Sequence, residues 1–226
     1  MIKMVVFDMA GTTVDEDNVV YKTLRKVIND AGYNFTLDEV LAEGAGKEKL
    51  QAIKDIIKMD PRPVKDNFAS DLYKIFDKEL AVAYDTIDVK PQPGAEELFK
   101  NLREKNILVV LNTGYNRATA SSLLKKLNWK EGEQLDVLVT ATDVSNNRPL
   151  PDMILFAMDK FLISDAKQVA KVGDSIIDIE EGQSAGCGLN IGITTGAHTA
   201  KQLKTANPDY IIGALLEIPA ILNSFV

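Results

Sequence analysis

Four polar positions lie at or near the ends of apolar runs, and their residue types together suit the chemistry of a phosphate group. Asp8 ends the run in VVFDMAGTTVD, Thr113 ends the run in LVVLNTGYNR, and Asp174 follows the run in VGDSIIDIEEG. Arg148 lies in the sequence NNRPLPD, ahead of a helical pattern. A carboxylate can attack phosphorus only if cations and fixed donors neutralise the approaching charge. The sequence therefore offers a carboxylate nucleophile at Asp8 and groups that would neutralise the phosphate.

The other members of the set have separate uses at a phosphoryl group. Asp8 and Asp174 are hard oxygen ligands that suit Mg²⁺, and the backbone carbonyl of Ala10 can add a third ligand. Thr113 and the amide of Gly114, at a predicted helix start, can donate to phosphoryl oxygens. We expect a magnesium and phosphate site assembled from these groups.

Each of these residues also has a plainer interpretation. Asp8 before Gly11 is a common turn arrangement, and Thr113 can simply end its strand. Arg148 supplies a permanent cation to phosphate oxygens, but it can equally be a solvated loop arginine. Asp178 fits a capping box at a helix start and is only a supporting member of the acidic motif.

Strands and helices alternate over much of the chain, which predicts a parallel α/β sheet covered by helices on both faces. Ligands bind at the carboxyl ends of strands in such sheets, where these polar residues fall. The predicted strands are 2–7, 107–111, 135–139, 168–172, 189–193 and 209–212. The predicted helices are 94–104, 116–127, 152–161, 175–184 and 199–205.

Residues 15–90 break this alternation, because they show helical periodicity without a convincing strand. Thr36 and Glu39 have the spacing of a capping box, and Asp60-Pro61 ends another helical pattern. We predict an inserted all-helical cap domain at 15–90 and a Rossmann-like core domain formed by 1–14 and 91–226, with hinges near 14–17 and 90–94.

Composition narrows the possible partners. The 226 residues carry a net charge of −7, which argues against binding to nucleic acid. The N-terminal apolar run is too short for a signal peptide or a membrane span, and Cys187, the single cysteine, cannot form an internal disulfide. We expect a cytoplasmic protein with a small-molecule substrate and no membrane partner; a monomer and a homodimer remain equally open.

The ordered set of motifs resembles the haloacid dehalogenase-like hydrolase superfamily, and the resemblance covers the whole chain. The motifs of that superfamily are an aspartate nucleophile, a strand-terminal Ser or Thr, a Lys or Arg, and an acidic metal-binding motif. The resemblance implies magnesium-dependent phosphoryl transfer to Asp8, followed by hydrolysis of the aspartyl-phosphate by water.

One position departs from the common pattern of the superfamily. Most of its phosphatases carry a second aspartate as general acid where this chain has Ala10. Loss of such a donor should cost about 10²–10⁴ in rate for an alkoxide leaving group. Alanine here, with DMAGTTVD, NTGYNR and NRPLPDM, resembles the phosphonoacetaldehyde hydrolase branch. That branch cleaves a carbon–phosphorus bond through a lysine Schiff base, and its Gly-x-x-Lys pattern starting at Gly46 indicates Lys49 as catalytic and substrate-binding.

Helical periodicity places Lys49 within the apolar arc of its helix and Lys47 on the opposite side. A lysine on an apolar face can have the lowered pKa that Schiff-base formation requires. The alternative is a lysine whose stem packs on the helices while its amine reaches water. The sequence leaves open whether Lys47 or Lys49 reaches the site.

Three further positions leave the substrate undecided. The histidine and cysteine of that branch would fall at Ala52 and Asn18, and His198 is interpreted as a surface loop residue. The leading hypothesis is a phosphohydrolase of a small phosphorylated or phosphonate metabolite. The alternatives are a phosphonoacetaldehyde hydrolase that uses a Lys49 Schiff base, and a non-catalytic phosphometabolite-binding protein.

Overall fold

The computed structural model describes residues 1–225, and a six-stranded parallel sheet lies at its centre. The strands of this sheet are β1 (Met4–Asp8), β4 (Leu108–Thr113), β5 (Val137–Thr140), β6 (Val169–Gly173), β7 (Leu189–Ile193) and β8 (Tyr210–Ile212). They lie side by side in the order β5-β4-β1-β6-β7-β8, so β1 is central. The predicted parallel α/β fold is confirmed.

The helices that precede or follow these strands in the chain cover both faces of the sheet. They are α5 (Ala95–Glu104), α6 (Arg117–Lys126), α7 (Asp152–Lys160), α8 (Ile176–Ala185), α9 (Ala200–Leu203) and α10 (Ile218–Ser224). Alternate residues of β1 point to opposite faces, so Val5 and Phe7 join one apolar cluster while Met4 and Val6 join the other. Burial of β1 on both faces fixes the position of Asp8 at its carboxyl end.

Register places the ends of three strands at one level. Asp8 in β1 pairs with Asn112 in β4, and Phe7 pairs with Val172 in β6. Strand β1 lies between β4 and β6, and the connections after these strands run in opposite directions along the sheet. A crevice therefore forms beyond the carboxyl end of β1. The crevice lies where the sequence places its polar residues.

Residues 15–90, which we call the helical segment, contain α1 (Val19–Asp30), α2 (Leu37–Gly44), α3 (Lys49–Lys58) and α4 (Phe68–Thr86). Helix α1 packs against α2 and α4, and α3 packs against the same two helices. The predicted capping box of Thr36 and Glu39 begins α2. The division into a cap domain and a core domain stays a prediction.

Two short strands join the helical segment to the sheet. Strand β2 (Val14–Asp15) pairs antiparallel with β3 (Lys90–Pro91). Both are only two residues long, and the sequence-based prediction treats these positions as hinges without strands. Within residues 1–225, no helix combines the length and apolar character needed to cross a bilayer.

Candidate active site

Three aspartates form the floor of the crevice. Asp8 ends β1, Asp174 directly follows β6, and Asp178 lies in the first turn of α8. A carboxylate oxygen from each lies within 4.8 Å of the others, and all three side chains are buried. Parallel strands thus bring together residues that are up to 170 positions apart in the chain.

Backbone geometry fixes Asp174 on this floor. The hydroxyl of Thr12 donates to its Oδ1 at 3.2 Å, and the amide of Ala197 donates to its Oδ2 at 2.6 Å. Gly11 has a φ of +83°, and a Cβ there would lie 2.5 Å from the same Oδ2. The sequence MAGTT therefore needs glycine at this turn because of both its conformation and the close carboxylate.

A buried network of charges surrounds Arg148. Its Nη1 donates to Asp8 Oδ1 at 2.7 Å and lies 2.9 Å from Asp178 Oδ1. Its Nε donates to Glu181 Oε2 at 2.9 Å, and its Nη2 donates to Asn112 Oδ1 at 2.7 Å. Burial acts to lower the pKa of Arg148, but the carboxylates of Asp178 and Glu181 outweigh it and raise the pKa. Arg148 is therefore a fixed, charged part of the site.

Sequence reasoning missed three members of this network. Lys171, in the middle of β6, donates to Asn112 Oδ1 at 2.7 Å and lies 3.2 Å from Glu181 Oε2. Asn112 in turn donates to Glu181 Oε1 at 2.8 Å. The usable signal was Lys171 itself, because a lysine inside the buried strand VAKVG must find a buried partner.

The floor carries more negative than positive charge. Four buried carboxylates face two buried cations, which leaves two unit negative charges, the charge that one divalent cation balances. These groups are Asp8, Asp174, Asp178, Glu181, Arg148 and Lys171.

The pKa values of the three aspartates respond to this excess charge. Burial raises the pKa of Asp8, and the neighbouring Asp178 carboxylate raises it further. Burial and the charge of Asp8 likewise raise the pKa of Asp174 well above its ordinary value. Burial also acts to raise the pKa of Asp178, but Arg148 and Lys171 hold it below its ordinary value. The oxygen ligands, the excess charge and the raised pKa values fit magnesium binding.

Asp178 caps α8, as its spacing from Ser175 predicts, and also contacts the buried cations of the floor. Its Oδ2 accepts from the amide and hydroxyl of Ser175, which completes the capping box of α8. Its Oδ1 faces Arg148 and Lys171 on the floor of the site. One carboxylate thus caps the helix and takes part in the charge network.

The end of β4 forms one side of the site, next to the aspartates of the floor. Thr113 is buried, and its Oγ1 accepts from the amide of Tyr115 at 3.2 Å. Gly114 lies directly beneath the loop that precedes α3, where a Cβ would be 2.6 Å from the carbonyl oxygen of Lys47. Glycine is therefore required at 114 by the close approach of the helical segment.

Lys49 is the lysine that α3 buries beside the site. Its Nζ donates to the Lys47 carbonyl at 2.6 Å and lies 5.5 Å from the ring centre of Tyr21 and 5.2 Å from that of Tyr115. Burial lowers the pKa of Lys49 to about 8, although the nearby carboxylate of Asp8 opposes this effect. The periodicity argument that placed Lys49 on the apolar arc agrees with this burial.

Lys47 lies outside this enclosure. Its ammonium pairs with Glu43 at 2.8 Å and with Asp55 at 2.9 Å, both on the helical segment. Of the two candidate lysines, Lys49 is therefore the one enclosed beside the aspartates. The catalytic role of Lys49 stays a proposal.

The interpretation of His198 as a surface loop residue is wrong. The side chain is buried, and its Nδ1 accepts from the amide of Ile176 at 3.0 Å, at the start of α8. The loop returns over the site because the His198 amide donates to the Asp174 carbonyl. Thr199, the next residue, caps α9.

Three positions depart from a family pattern: Ala10 from that of most phosphatases of the superfamily, and Ala52 and Asn18 from that of the phosphonoacetaldehyde hydrolases. Ala10 lies in the turn after Asp8, and Ala52 is fully buried within α3. Asn18 precedes α1 with a left-handed φ of 53°. None of these side chains can exchange a proton with a substrate.

Comparison with known proteins identifies the family. A sequence model of the haloacid dehalogenase-like hydrolase family matches residues 5–191, which include the three clustered aspartates. The chain therefore belongs to the haloacid dehalogenase-like hydrolase family and is a phosphatase-like hydrolase. The resemblance inferred from the motifs is confirmed.

Among curated proteins the similarity is to phosphonoacetaldehyde hydrolases. That of Parabacteroides distasonis is 31% identical over 87% of this chain and 78% of its own length. That of Latilactobacillus sakei is 28% identical, covering 99% of this chain and 96% of its own length. The crystal structure of a phosphonoacetaldehyde hydrolase-like protein from Oleispira antarctica has a TM-score of 0.85 at 21% identity, covering 99% of this chain and 92% of its own.

Proposed function

We propose that this protein is a magnesium-dependent hydrolase that transfers the phosphoryl group of a small phosphorylated or phosphonate metabolite to Asp8. The observation that carries the proposal is the buried assembly of Asp8 with Asp174, Asp178 and the Arg148 guanidinium. Such an assembly costs desolvation energy, which a divalent cation would offset by balancing its excess negative charge.

Magnesium would be held by Asp8 and Asp174, with the Ala10 carbonyl as a further ligand and Asp178 in support. When bound, it would neutralise phosphoryl oxygens and favour attack by a carboxylate. The same charge balance gives Asp8 a reason to stay ionised, because a cation beside it opposes the effect of burial on its pKa.

The chain's own residues account for both chemical steps. An Asp8 carboxylate oxygen forms a bond to phosphorus while the bond to the leaving group breaks, and the leaving group takes the electron pair. Arg148, Thr113 and the Gly114 amide donate to the phosphoryl oxygens in this proposal. Water then attacks phosphorus, and the Asp8–phosphorus bond breaks, which releases dihydrogen phosphate and restores the Asp8 carboxylate.

The leaving group needs a proton that residue 10 cannot give. Lys49, beside Asp8 and with a pKa of about 8, carries its proton at neutral pH and is the proposed donor to an oxygen leaving group. Loss of the Lys49 amine should then affect poor leaving groups, such as alkyl alcohols, more than good ones, such as nitrophenol.

A screen of phosphate esters with magnesium tests this function. We expect hydrolysis that stops on chelation of magnesium and falls at least about 10³-fold in Asp8→Asn. Asp71→Asn, at an exposed position of α4, is the matched control and should keep full activity. Full turnover by Asp8→Asn would reject Asp8 as the nucleophile.

A second candidate is cleavage of a carbon–phosphorus bond in an aldehyde phosphonate. Its support is the buried Lys49 amine with a lowered pKa, together with the similarity to phosphonoacetaldehyde hydrolases. The amine would condense with the aldehyde and release water, and transfer of the phosphoryl group to Asp8 would leave an enamine. Protonation and hydrolysis of the enamine would release acetaldehyde and restore Lys49.

Borohydride trapping separates the two candidates. With phosphonoacetaldehyde and magnesium, the second candidate predicts a reduced adduct on Lys49, whereas Lys49→Ala gives none and loses turnover. Lys54→Ala, on the exposed face of the same helix, is the control. Turnover of phosphonoacetaldehyde without any lysine adduct would exclude the Schiff base.

We further propose that the helical segment acts as a cap over the sheet, in line with domain boundaries at 14/15 and 90/91. In support, the Gly46 carbonyl lies 3.4 Å from Arg148 Nη1, and Lys49 belongs to this segment. With Lys49, Thr113 and Asp8 all buried, the substrate would have to enter through an opening of the cap.

A further inference from the structure

Glu16 is a buried acid at the start of the helical segment, and within residues 1–225 none of its hydrogen-bond partners is a cation. Its Oε2 accepts from the Val20 amide at 3.1 Å and lies 3.3 Å from the Tyr84 hydroxyl. Only 3% of the residue is exposed. Ionising a buried carboxyl group costs free energy when its only hydrogen-bond donors are a backbone amide and a phenol. Burial of an acid at this position therefore suggests a specific role.

The contacts of Glu16 lead to Lys49. The Tyr84 hydroxyl lies 2.9 Å from the Tyr115 hydroxyl, and the two rings meet edge to face with centres 6.4 Å apart. The Tyr115 ring in turn lies 5.2 Å from Lys49 Nζ. A chain of contacts thus joins Glu16 to Lys49 through α4 and the loop after β4.

The chain links both parts of the molecule. Glu16 and Tyr84 belong to the helical segment, whereas Tyr115 follows β4 of the sheet. The contact between Tyr115 and Lys49 therefore joins the loop after β4 to the helical segment. Since Tyr115 is one wall of the space around the Lys49 amine, whatever orients its hydroxyl also orients that wall.

We propose that Glu16 is a positioning residue for Lys49, because it holds the Tyr84 and Tyr115 hydroxyls in one chain and so sets the aromatic wall and the charge around the Lys49 amine. The inference rests on the proposed function only in treating Lys49 as a group that meets the substrate. Glu16 itself touches neither Asp8 nor the metal ligands in this scheme.

The charges around Glu16 support this arrangement. Burial raises the pKa of Glu16 to about 8, against the lowering effects of the Val20 amide, the Tyr84 hydroxyl and the Lys49 ammonium. The pKa of Lys49 is also about 8. Glu16 and Lys49 therefore change charge over the same pH range, and each affects the charge of the other.

The ionisable groups that face Glu16 come from four places in the fold. Tyr21 faces it from α1, Lys49 from α3, Tyr84 from α4 and Tyr115 from the loop after β4. The pKa values of the three tyrosines all lie well above their ordinary value because the rings are buried. Between about pH 6 and pH 9, Glu16 and Lys49 are thus the groups in this cluster that titrate.

The titration of Lys49, followed by ¹³C NMR of the lysine ε-carbons without substrate, tests the proposal. The Lys49 signal is assigned by its absence in Lys49→Arg. We expect Glu16→Gln to lower the midpoint of Lys49 by about one pH unit, because an ionised carboxylate no longer favours the ammonium. Tyr84→Phe should shift it in the same direction, because the Glu16 carboxylate loses a donor that stabilises its charge.

Two controls match the chemistry of these changes. Glu79→Gln removes a half-buried carboxyl group of α4, and Tyr33→Phe removes a buried hydroxyl without a hydrogen-bond partner in residues 1–225. Neither should move the Lys49 midpoint. If Glu16→Gln does not fold, Tyr84→Phe carries the test alone.

An unchanged Lys49 midpoint in folded Glu16→Gln, or in Tyr84→Phe where that variant carries the test alone, would overturn the proposal. The titration needs no turnover, so its failure is separate from that of the proposed function. A shifted midpoint in a protein that hydrolyses no phosphate ester or phosphonate would uphold the positioning role of Glu16 and reject the hydrolysis.

Discussion

At the scale of single residues, the floor of the site depends on Arg148 more than on any other cation. Its guanidinium contacts Asp8, Asp178, Glu181 and Asn112 at once, which only a planar group with five donors can do. Members of the superfamily have either Lys or Arg at this motif, but in this chain a lysine could not make all the contacts of Arg148.

Replacement of Arg148 by lysine should therefore be costly. A lysine at 148 cannot keep all of these contacts, so Glu181 or Asn112 loses one of its buried donors. We expect a loss of about 2–4 kcal/mol in unfolding free energy and at least about 10-fold in kcat/KM. Urea unfolding and steady-state kinetics measure both effects. Arg25→Lys, at an exposed position of α1, should change neither, and an active, fully stable Arg148→Lys would contradict the network.

Magnesium should stabilise the folded protein through Asp174 and Asp8. At about 100 times its Kd, a ligand adds about 2.7 kcal/mol of stability. Because the pKa values of both aspartates are raised, protons compete with magnesium, and the gain should be larger near pH 8 than near pH 5. Thermal unfolding with and without magnesium measures this gain.

Asp174→Asn should lose most of that stabilisation, whereas Asp71→Asn should keep it. An equal magnesium effect in Asp174→Asn would show that the ion binds elsewhere. A gain independent of pH would show that the ion does not displace protons from these carboxylates.

At the scale of elements, two glycines allow the loop before α3 to lie on the sheet. A Cβ on Gly46 would lie 2.4 Å from Ser175 Oγ, and one on Gly114 would lie 2.6 Å from the Lys47 carbonyl oxygen. The loop therefore touches the start of α8 and the end of β4 together, which brings Lys49 to the site.

Gly114→Ala should hinder this contact. No unusual φ is required at 114, so the added methyl group acts by its size, and the helical segment must lift to make room. We expect kcat/KM to fall about 10-fold or more, because the groups that the loop brings to the site move away from it. Gly213→Ala, whose Cβ would meet its nearest neighbour at 3.7 Å, is the control. Unchanged kcat/KM in Gly114→Ala would contradict a closed working state.

Most elements could be predicted from the sequence, because buried strands are short apolar runs and the intervening helices keep their periodicity. The predicted bounds differ from those observed by one or two residues for most elements. The exceptions have physical reasons: β2 and β3 are too short for a periodic signal, and α10, IPAILNS, is a seven-residue helix with proline in its first turn. Helix α9 ends early, and a short 3₁₀ turn follows it.

The site was predictable where a residue's position follows from the end of a strand, as for Asp8, Thr113 and Asp174. The contacts of Lys171 with Glu181 and Asn112 were not, because they depend on the register of β6 against β1 and β4. His198 was misassigned because its burial depends on tertiary structure: the loop that carries it returns over Asp174.

At the scale of the whole molecule, buried groups that titrate near neutrality make stability depend on pH. The folded-state pKa of Glu16 is about 8, above its ordinary value of 4.5. Its contribution to stability is therefore complete below pH 4.5 and is lost as the pH rises through 8. Lys49 acts oppositely, because its lowered pKa contributes stability that is complete above pH 10.5 and is lost as the pH falls through 8.

Glu16→Gln should remove the first of these effects. The unfolding free energy of Glu16→Gln minus that of the wild type should increase as the pH rises from about 5 to about 9, by about 4 kcal/mol at most. Urea unfolding at both pH values measures the difference. Glu79→Gln should follow the wild type, and parallel curves for Glu16→Gln would show that Glu16 titrates normally.

The central claim is that Asp8 accepts the phosphoryl group. Borohydride added during turnover reduces an aspartyl-phosphate to homoserine, which peptide mass spectrometry locates in the sequence. With a hydrolysed substrate and magnesium, we predict homoserine at position 8 in the wild type, none at Asp174 or Asp178, and no turnover by Asp8→Asn. Reduction at another residue, or turnover by Asp8→Asn at the wild-type rate, would contradict the claim.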